Sequence, residues 1–221
     1  MNAMHPRFKP VNDTERADWR RLAFRALYPS WTRLGLANRL KRRRVALIDA
    51  FLDGALTRAR RILDVGCANG QDFVLLLPET EAQVYGLDIE AYSIQKRNFS
   101  FVRCDADHID FPDGYFDVAV SIGVFEHIQP IEKLCRAASE IGRISKAFCV
   151  VVPSVGTILE PHSAQLFWHL KDHNRKHRRP NLNYFSDDAW LKFEGFKGCK
   201  SKRFWYIPGL VQDLAIYRSG S

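Results

Sequence analysis

Between Arg61 and Pro153, short apolar runs alternate with longer stretches bounded by glycine and proline. This alternation constrains the fold more than any other feature of the 221-residue chain. Arg61-Ile62-Leu63-Asp64-Val65 ends in glycines and reads as a buried strand. Residues 83–88, 99–104, 115–121 and 147–152 repeat the pattern, the last stopped by Pro153. Between them, residues 70–77, 91–97 and 131–142 read as helices. Such alternation predicts an α/β, Rossmann-like, mostly parallel sheet with helices on both faces. Right-handed crossovers place every strand's C-terminal end on one edge, where ligands bind.

The flanks have a different rhythm. Trp19, Leu22, Ala23, Ala26 and Leu27 recur at helical spacing and predict a helix over 14–28. A second, basic helix is expected over 37–56, with the run Lys41, Arg42, Arg43, Arg44 and with Gly54 near its end. After strand five, a long insertion is expected to hold a helix over 162–176. Ser186 should cap another helix through 194, and a hairpin should place strands near 197–206 and 211–218 around Pro208-Gly209. The length favours one domain: a basic N-terminal lid (1–59), a core (60–153), and an acceptor-side insertion with hairpin (154–221).

The net charge of +8 hides an asymmetry: +10 over residues 1–61, −7 over 62–153 and +5 over 154–221. Basic flanks of this kind attract RNA or an anionic membrane, or form a lid over an acidic core. Hydrophobic residues at 46% and charged residues at 26% exclude a wholly disordered chain. No run approaches the roughly 18 apolar residues of a membrane span, and MNAMHPRFKP has no apolar leader. The five cysteines form no CxxC pair. A reducing cytoplasm and no structural metal are the expectation.

The chemistry concentrates after strand one. In ILDVGCANGQD, Asp64 lies on the strand, and Gly66, Ala68 and Gly70 let a ligand approach the backbone closely. Asp88 ends strand two, placed to accept bonds from a ribose diol. Asp105 follows strand three. A glycine-rich loop alone would also suit a nicotinamide enzyme, but a carboxylate before the glycines suits a cationic ligand better than a pyrophosphate.

Taken in order, ILDVGCANG, GLDI and RCDADHIDFPDGYFDVAVSIGVFEHI resemble the class I S-adenosylmethionine-dependent methyltransferases, in particular the small "type 11" group. The resemblance covers about residues 60–153. It implies a seven-stranded sheet with an antiparallel last strand and S-adenosyl-L-methionine as cofactor. It also implies cofactor-binding roles for Asp64, Gly66, Cys67, Ala68, Gly70, Asp88, Ile89, Asp105 and Ala106. Ala68 stands where the family commonly has glycine. A methyl group is tolerable there if φ is negative, and cofactor binding is expected to survive the change.

His127, after strand four, and His162, in the Glu160-Pro161-His162 segment, are the candidate catalytic bases for a hydroxyl acceptor. A Glu-His pair like Glu126-His127 joins an earlier glutamate around a metal in ubiquinone-pathway O-methyltransferases. Here that earlier position is Gly123, and no metal is expected. His169, His173 and His177 share one helical face, but in a strongly basic segment that repels a cation. After strand four there is neither a D/N/S-P-P-Y/F motif nor a Pro-Cys, which lowers the nucleic-acid reading. Aromatic residues gather after strand five (Phe167, Trp168, Tyr184, Phe185, Phe204, Trp205, Tyr206) and suggest a glycan-like acceptor. The expected activity is O-methylation of a small-molecule or glycan- or lipid-linked acceptor. RNA methylation and non-catalytic cofactor binding are the alternatives.

Overall fold

The computed structural model describes residues 35–79, 81–162, 165–170 and 182–220. The helix expected over 14–28, most of the one over 162–176, and His173 and His177 lie outside them. In chain order the elements are α1 (Leu36–Phe51), α2 (Ala55–Arg58), β1 (Arg61–Val65), β2 (Gln83–Asp88), β3 (Phe99–Arg103) and β4 (Phe116–Ile122). There follow α3 (Ile131–Ile144), β5 (Ser145–Pro153), α4 (Asp187–Trp190), β6 (Lys200–Ile207) and β7 (Val211–Arg218).

The strands form one seven-stranded sheet in the order β3-β2-β1-β4-β5-β7-β6. β1 pairs in parallel with β2 and β4, β2 with β3, and β4 with β5. β7 runs antiparallel to both β5 and β6. The strand order reverses between β1 and β4, which opens a crevice at their C-terminal ends.

Each face carries its own core. On one, α3 buries Leu134, Ala137, Ala138, Ile141 and Ile144, spaced at three and four residues, together with Trp190 and Phe196. Burying each larger side chain contributes roughly 1.5–3 kcal/mol. The other core gathers Ile48 and Leu52 of α1, Ile62 of β1, and Phe73 and Val74. α1 lies against β6 and the Val74–Leu76 turn.

Two expected helices are absent. Residues 70–77 form turns and a short 3₁₀ segment, Val74–Leu76, and residues 91–96 have no regular structure. The apolar residues Phe73, Val74, Leu76 and Leu77 are buried nonetheless, so packing rather than helix periodicity explains their pattern. The 37–56 helix ends earlier, at Phe51, and a separate turn of helix follows Gly54, whose φ is +75°. Ser186 caps α4, its Oγ accepting from the Ala189 N–H, but the helix ends at Trp190.

Candidate active site

The loop after β1 is pinned to β2: Gly66 and Cys67 N–H both donate to Leu87 O, at 2.7 and 3.0 Å. Gly66 has φ +78°, and a Cβ there would lie 2.3 Å from Val124 Cγ2. Only glycine lets this loop pass against the loop after β4. Gly70 adopts a similar φ of +74°, and its N–H donates to Cys67 O.

Ala68 does not meet the condition of a negative φ: its φ is +43°. The reason is a specific bond, since the Ala68 N–H donates to Asp88 Oδ2 at 3.0 Å. Asp88 Oδ1 accepts from Glu90 N–H at 3.1 Å. The carboxylate thus organises the loop while keeping acceptor capacity on both oxygens. Ile89 beside it is exposed. β3 delivers Asp105 and Ala106 next to Asp88, with Cys104 N–H donating to Asp88 O. Lys133 of α3 holds the Asp105 carboxylate.

Asp64 is buried on β1, with its pKa raised to about 8 by burial and by the charges of Asp72 and Asp88, while Arg44 opposes the rise. Cys67 is buried too, and burial with Asp64 and Asp88 pushes its thiol up to about 12. It is therefore a small packing residue rather than a nucleophile.

A cavity of about 590 Å³ lies next to Asp72, just beyond this loop in sequence. Its base is formed by Ile122 and Gly123 at the end of β4 and Val151 to Pro153 of β5, and α1 covers it with Leu40, Lys41 and Arg44. The basic run is split by helix geometry. Lys41 and Arg44 turn inward to Asp72, at 3.2 and 3.0 Å, whereas Arg42 and Arg43 are exposed.

Of the two candidate histidines, His162 lines this cavity and His127 packs behind it. Their rings lie edge-to-face, 5.0 Å apart between centroids. Glu126, fully buried, presents Oε1 4.0 Å from His127 Nε2 and 3.9 Å from His162 Nε2. Burial raises the Glu126 carboxyl to about 7, partly offset by hydrogen bonding and by His162. Burial first, then the His162 charge, lowers His127 to about 4. Asp213 of β7 lines the cavity as well, raised to about 6 by burial against the pull of Arg44 and His162.

Two neighbours in sequence, Asn183 and Tyr184, hold the cluster together. Asn183 clamps the turn carrying Glu126 and His127: its N–H donates to Glu126 O, and its Nδ2 to Phe125 O and Ile128 O. The Tyr184 hydroxyl donates to Glu160 Oε1 at 2.6 Å, and that oxygen also meets His162 Nδ1 at 2.8 Å. Asp72, Glu160, Asn183, Tyr184 and Asp213 carry no sequence motif. Glu160 is buried behind His162.

Most of the aromatic tail is packing. Trp168, Tyr184 and Phe204 are buried, and Phe185 packs on Trp190 and Phe193. Tyr206 lines the cavity under the Arg44 guanidinium, 4.6 Å from its ring centroid.

Residues 63–148 match the family model described as a methyltransferase domain. Among curated relatives, a protein of Encephalitozoon cuniculi named as a methyltransferase is 31% identical over 106 residues, 48% of this chain and 50% of the relative. Ajmaline N-methyltransferase of Rauvolfia serpentina is 28% identical over 127 residues, 52% of this chain and 43% of the relative. The chain thus spans about half the length of these relatives. The fold resembles that of Burkholderia thailandensis 1,6-didemethyltoxoflavin-N1-methyltransferase, solved with 1,6-didemethyltoxoflavin and S-adenosylhomocysteine. That likeness has a TM-score of 0.53 and 17% identity, and it covers 95% of this chain and 94% of the other. Among the described residues, no helix is long and apolar enough to cross a membrane.

Proposed function

We propose that this chain, whose residues 63–148 belong to the class I S-adenosylmethionine-dependent methyltransferase family, methylates an oxygen of a small-molecule acceptor held in the cavity above β4 and β5. The carrying observation is the Gly66–Val124 contact, which joins the loop after β1 to the loop bearing Glu126 and His127 in one crevice.

The residues present fit the cofactor. Asp64, Asp72 and Asp88 are assigned to the cationic groups of the cofactor: burial first, then the charges of Asp72 and Asp88, raises the Asp64 pKa, and a cation beside it would favour the ionised carboxylate. Asp88 keeps acceptor capacity for a ribose diol. The backbone of Gly66, Cys67, Ala68 and Gly70 is assigned to the cradle, Ile89 offers an exposed apolar face, and Asp105 and Ala106 are assigned to the adenine edge. When bound, the cofactor supplies an electrophilic methyl group.

The cavity orients the acceptor, and alignment of the two reactants can contribute ~7–11 kcal/mol. His127 and His162 are assigned to activating the acceptor oxygen, which must lose its proton as the methyl group arrives. The acceptor is read as a small molecule because three of the seven aromatic side chains that a glycan would stack on, Trp168, Tyr184 and Phe204, are buried, and a fourth, Phe185, packs on Trp190 and Phe193.

Two measurements test this. Calorimetry with S-adenosylhomocysteine should show Asp88→Ala losing about 10- to 100-fold in affinity, as expected for a charge-assisted contact. Unchanged affinity in a folded variant overturns the cofactor assignment. A metabolite extract incubated with the chain and trideuteromethyl-labelled cofactor should yield a labelled ether or ester. Label on nitrogen corrects the acceptor atom, and binding without transfer leaves a cofactor-binding protein.

A further inference from the structure

We propose that Glu126, His127 and His162 form a binding site for a divalent first-row transition-metal ion that opens onto the acceptor cavity. Its catalytic consequence rests on the methyltransferase reading, while metal binding itself does not.

One ligand atom from each residue lies within 4.8 Å of the others. Glu126 Oε1 is 3.9 Å from His162 Nε2 and 4.0 Å from His127 Nε2, too far for a hydrogen bond to either. The three groups therefore face one another across a gap. Taking 4.8 Å as the third separation, a point equidistant from the three atoms lies about 2.5 Å from each, against roughly 2.0–2.2 Å for nitrogen and carboxylate ligands of zinc. An inward shift of a few tenths of an ångström closes the difference.

Buried Glu126 Oε2 has no hydrogen-bond partner among the described residues, and a cation beside the carboxylate compensates that loss. His162 is already oriented: Nδ1 meets Glu160 Oε1 at 2.8 Å, a carboxylate behind the ring, and Nε2 is turned toward Glu126. Tyr184 holds the same Glu160 oxygen, and Asn183 holds the turn that carries the other two ligands. The sequence hides the site because Gly123 occupies the near ligand position, while His162 arrives from beyond β5.

Two imidazoles and one carboxylate favour zinc, manganese, cobalt or iron(II) over magnesium or calcium, which prefer all-oxygen shells. Glu126 and His162 both line the cavity, so the remaining coordination positions face it. An acceptor hydroxyl bound there releases its proton to water. Its oxygen then bonds to the methyl carbon as the carbon–sulfur bond breaks. The electron pair stays on sulfur and S-adenosylhomocysteine leaves.

The test needs no acceptor. Full-length chain, freed of metal with a chelator, is titrated with Mn²⁺, Co²⁺ and Zn²⁺ chlorides by calorimetry, and the Co²⁺ complex is followed by visible absorption. One ion per chain is expected. Binding should be lost in His127→Ala and His162→Gln, weakened about 10- to 100-fold in Glu160→Gln, and retained in His108→Ala and in the double variant His169→Ala, His173→Ala. S-adenosylhomocysteine binding and circular dichroism verify that each variant is folded. No binding by the wild type, or binding indifferent to His127 and His162, overturns the site. Metal binding without labelled-methyl transfer would support the site and remove only the enzymatic reading.

Discussion

Asp64→Asn should stabilise the ligand-free protein, and should do so more as pH rises. Asp64 is 4% exposed, and its pKa is raised from 3.8 to about 8 by burial, then by Asp72 and Asp88. The folded state thus holds a proton that the unfolded chain has already released. Between about pH 4 and pH 8 the native state binds more protons than the unfolded one, so Asp64 makes stability fall as pH rises through that window. Each tenfold change in proton affinity is worth about 1.4 kcal/mol, so a displacement of this size is worth several kcal/mol. Water entry and local relaxation leave about 2–4 kcal/mol as the working expectation. Asparagine is nearly isosteric and cannot ionise. Its advantage over wild type should be small at pH 4 and should grow by about 2–4 kcal/mol toward pH 8.

Urea unfolding of both proteins across that range, without ligand, measures the difference directly. The same variant should bind the cofactor more weakly, because a cation next to the Asp64 carboxylate favours its ionised form. Cofactor binding by the wild type at pH 7 should therefore release a proton, visible as a dependence of calorimetric enthalpy on the buffer. A stability difference that is flat with pH, or binding without proton release, would refute the reasoning.

Three further perturbations follow from local geometry. Ala68→Gly relieves a left-handed alanine at φ +43° and should raise stability by about 0.5–1 kcal/mol, or a few degrees in thermal melting. Gly195→Ala places a Cβ 1.9 Å from Ala138 O on α3 and should cost more than about 3 kcal/mol or prevent folding, read by circular dichroism. Asn183→Ala removes buried side-chain bonds to Phe125 O and Ile128 O and should cost about 2–4 kcal/mol in urea unfolding.

β1 to β5 are legible in the sequence because buried parallel strands are written as apolar runs bounded by breakers. The terminal hairpin is legible from Pro208-Gly209. The crossovers between β1 and β3 are not: residues 70–77 carry a helix-like apolar pattern, yet they satisfy their burial as turns against α1 and the sheet. The loop proposed to cradle the cofactor is local in sequence, so its residues can be named from one motif. The cluster proposed to face the acceptor is not local. Glu126 and His127 follow β4, Glu160 and His162 follow β5, and Asn183 and Tyr184 arrive later still, so only the folded sheet edge assembles them.

Arg44 shows why the basic run could not be interpreted without the fold. As a sequence it is one of four consecutive cations, fit for a phosphate surface. In the structure it is buried, pairs with Asp72, and lies over Tyr206. Its charge also opposes the raised pKa values of Asp64, Glu126 and Asp213. One cation on α1 therefore balances acidic groups on β1, after β4 and on β7. Replacing it with an exposed-surface residue such as Gln would leave three buried carboxyls without that compensation. The basic character of α1 is thus, at this position, part of a buried charge network, while Arg42 and Arg43 remain the exposed part available to any anionic partner.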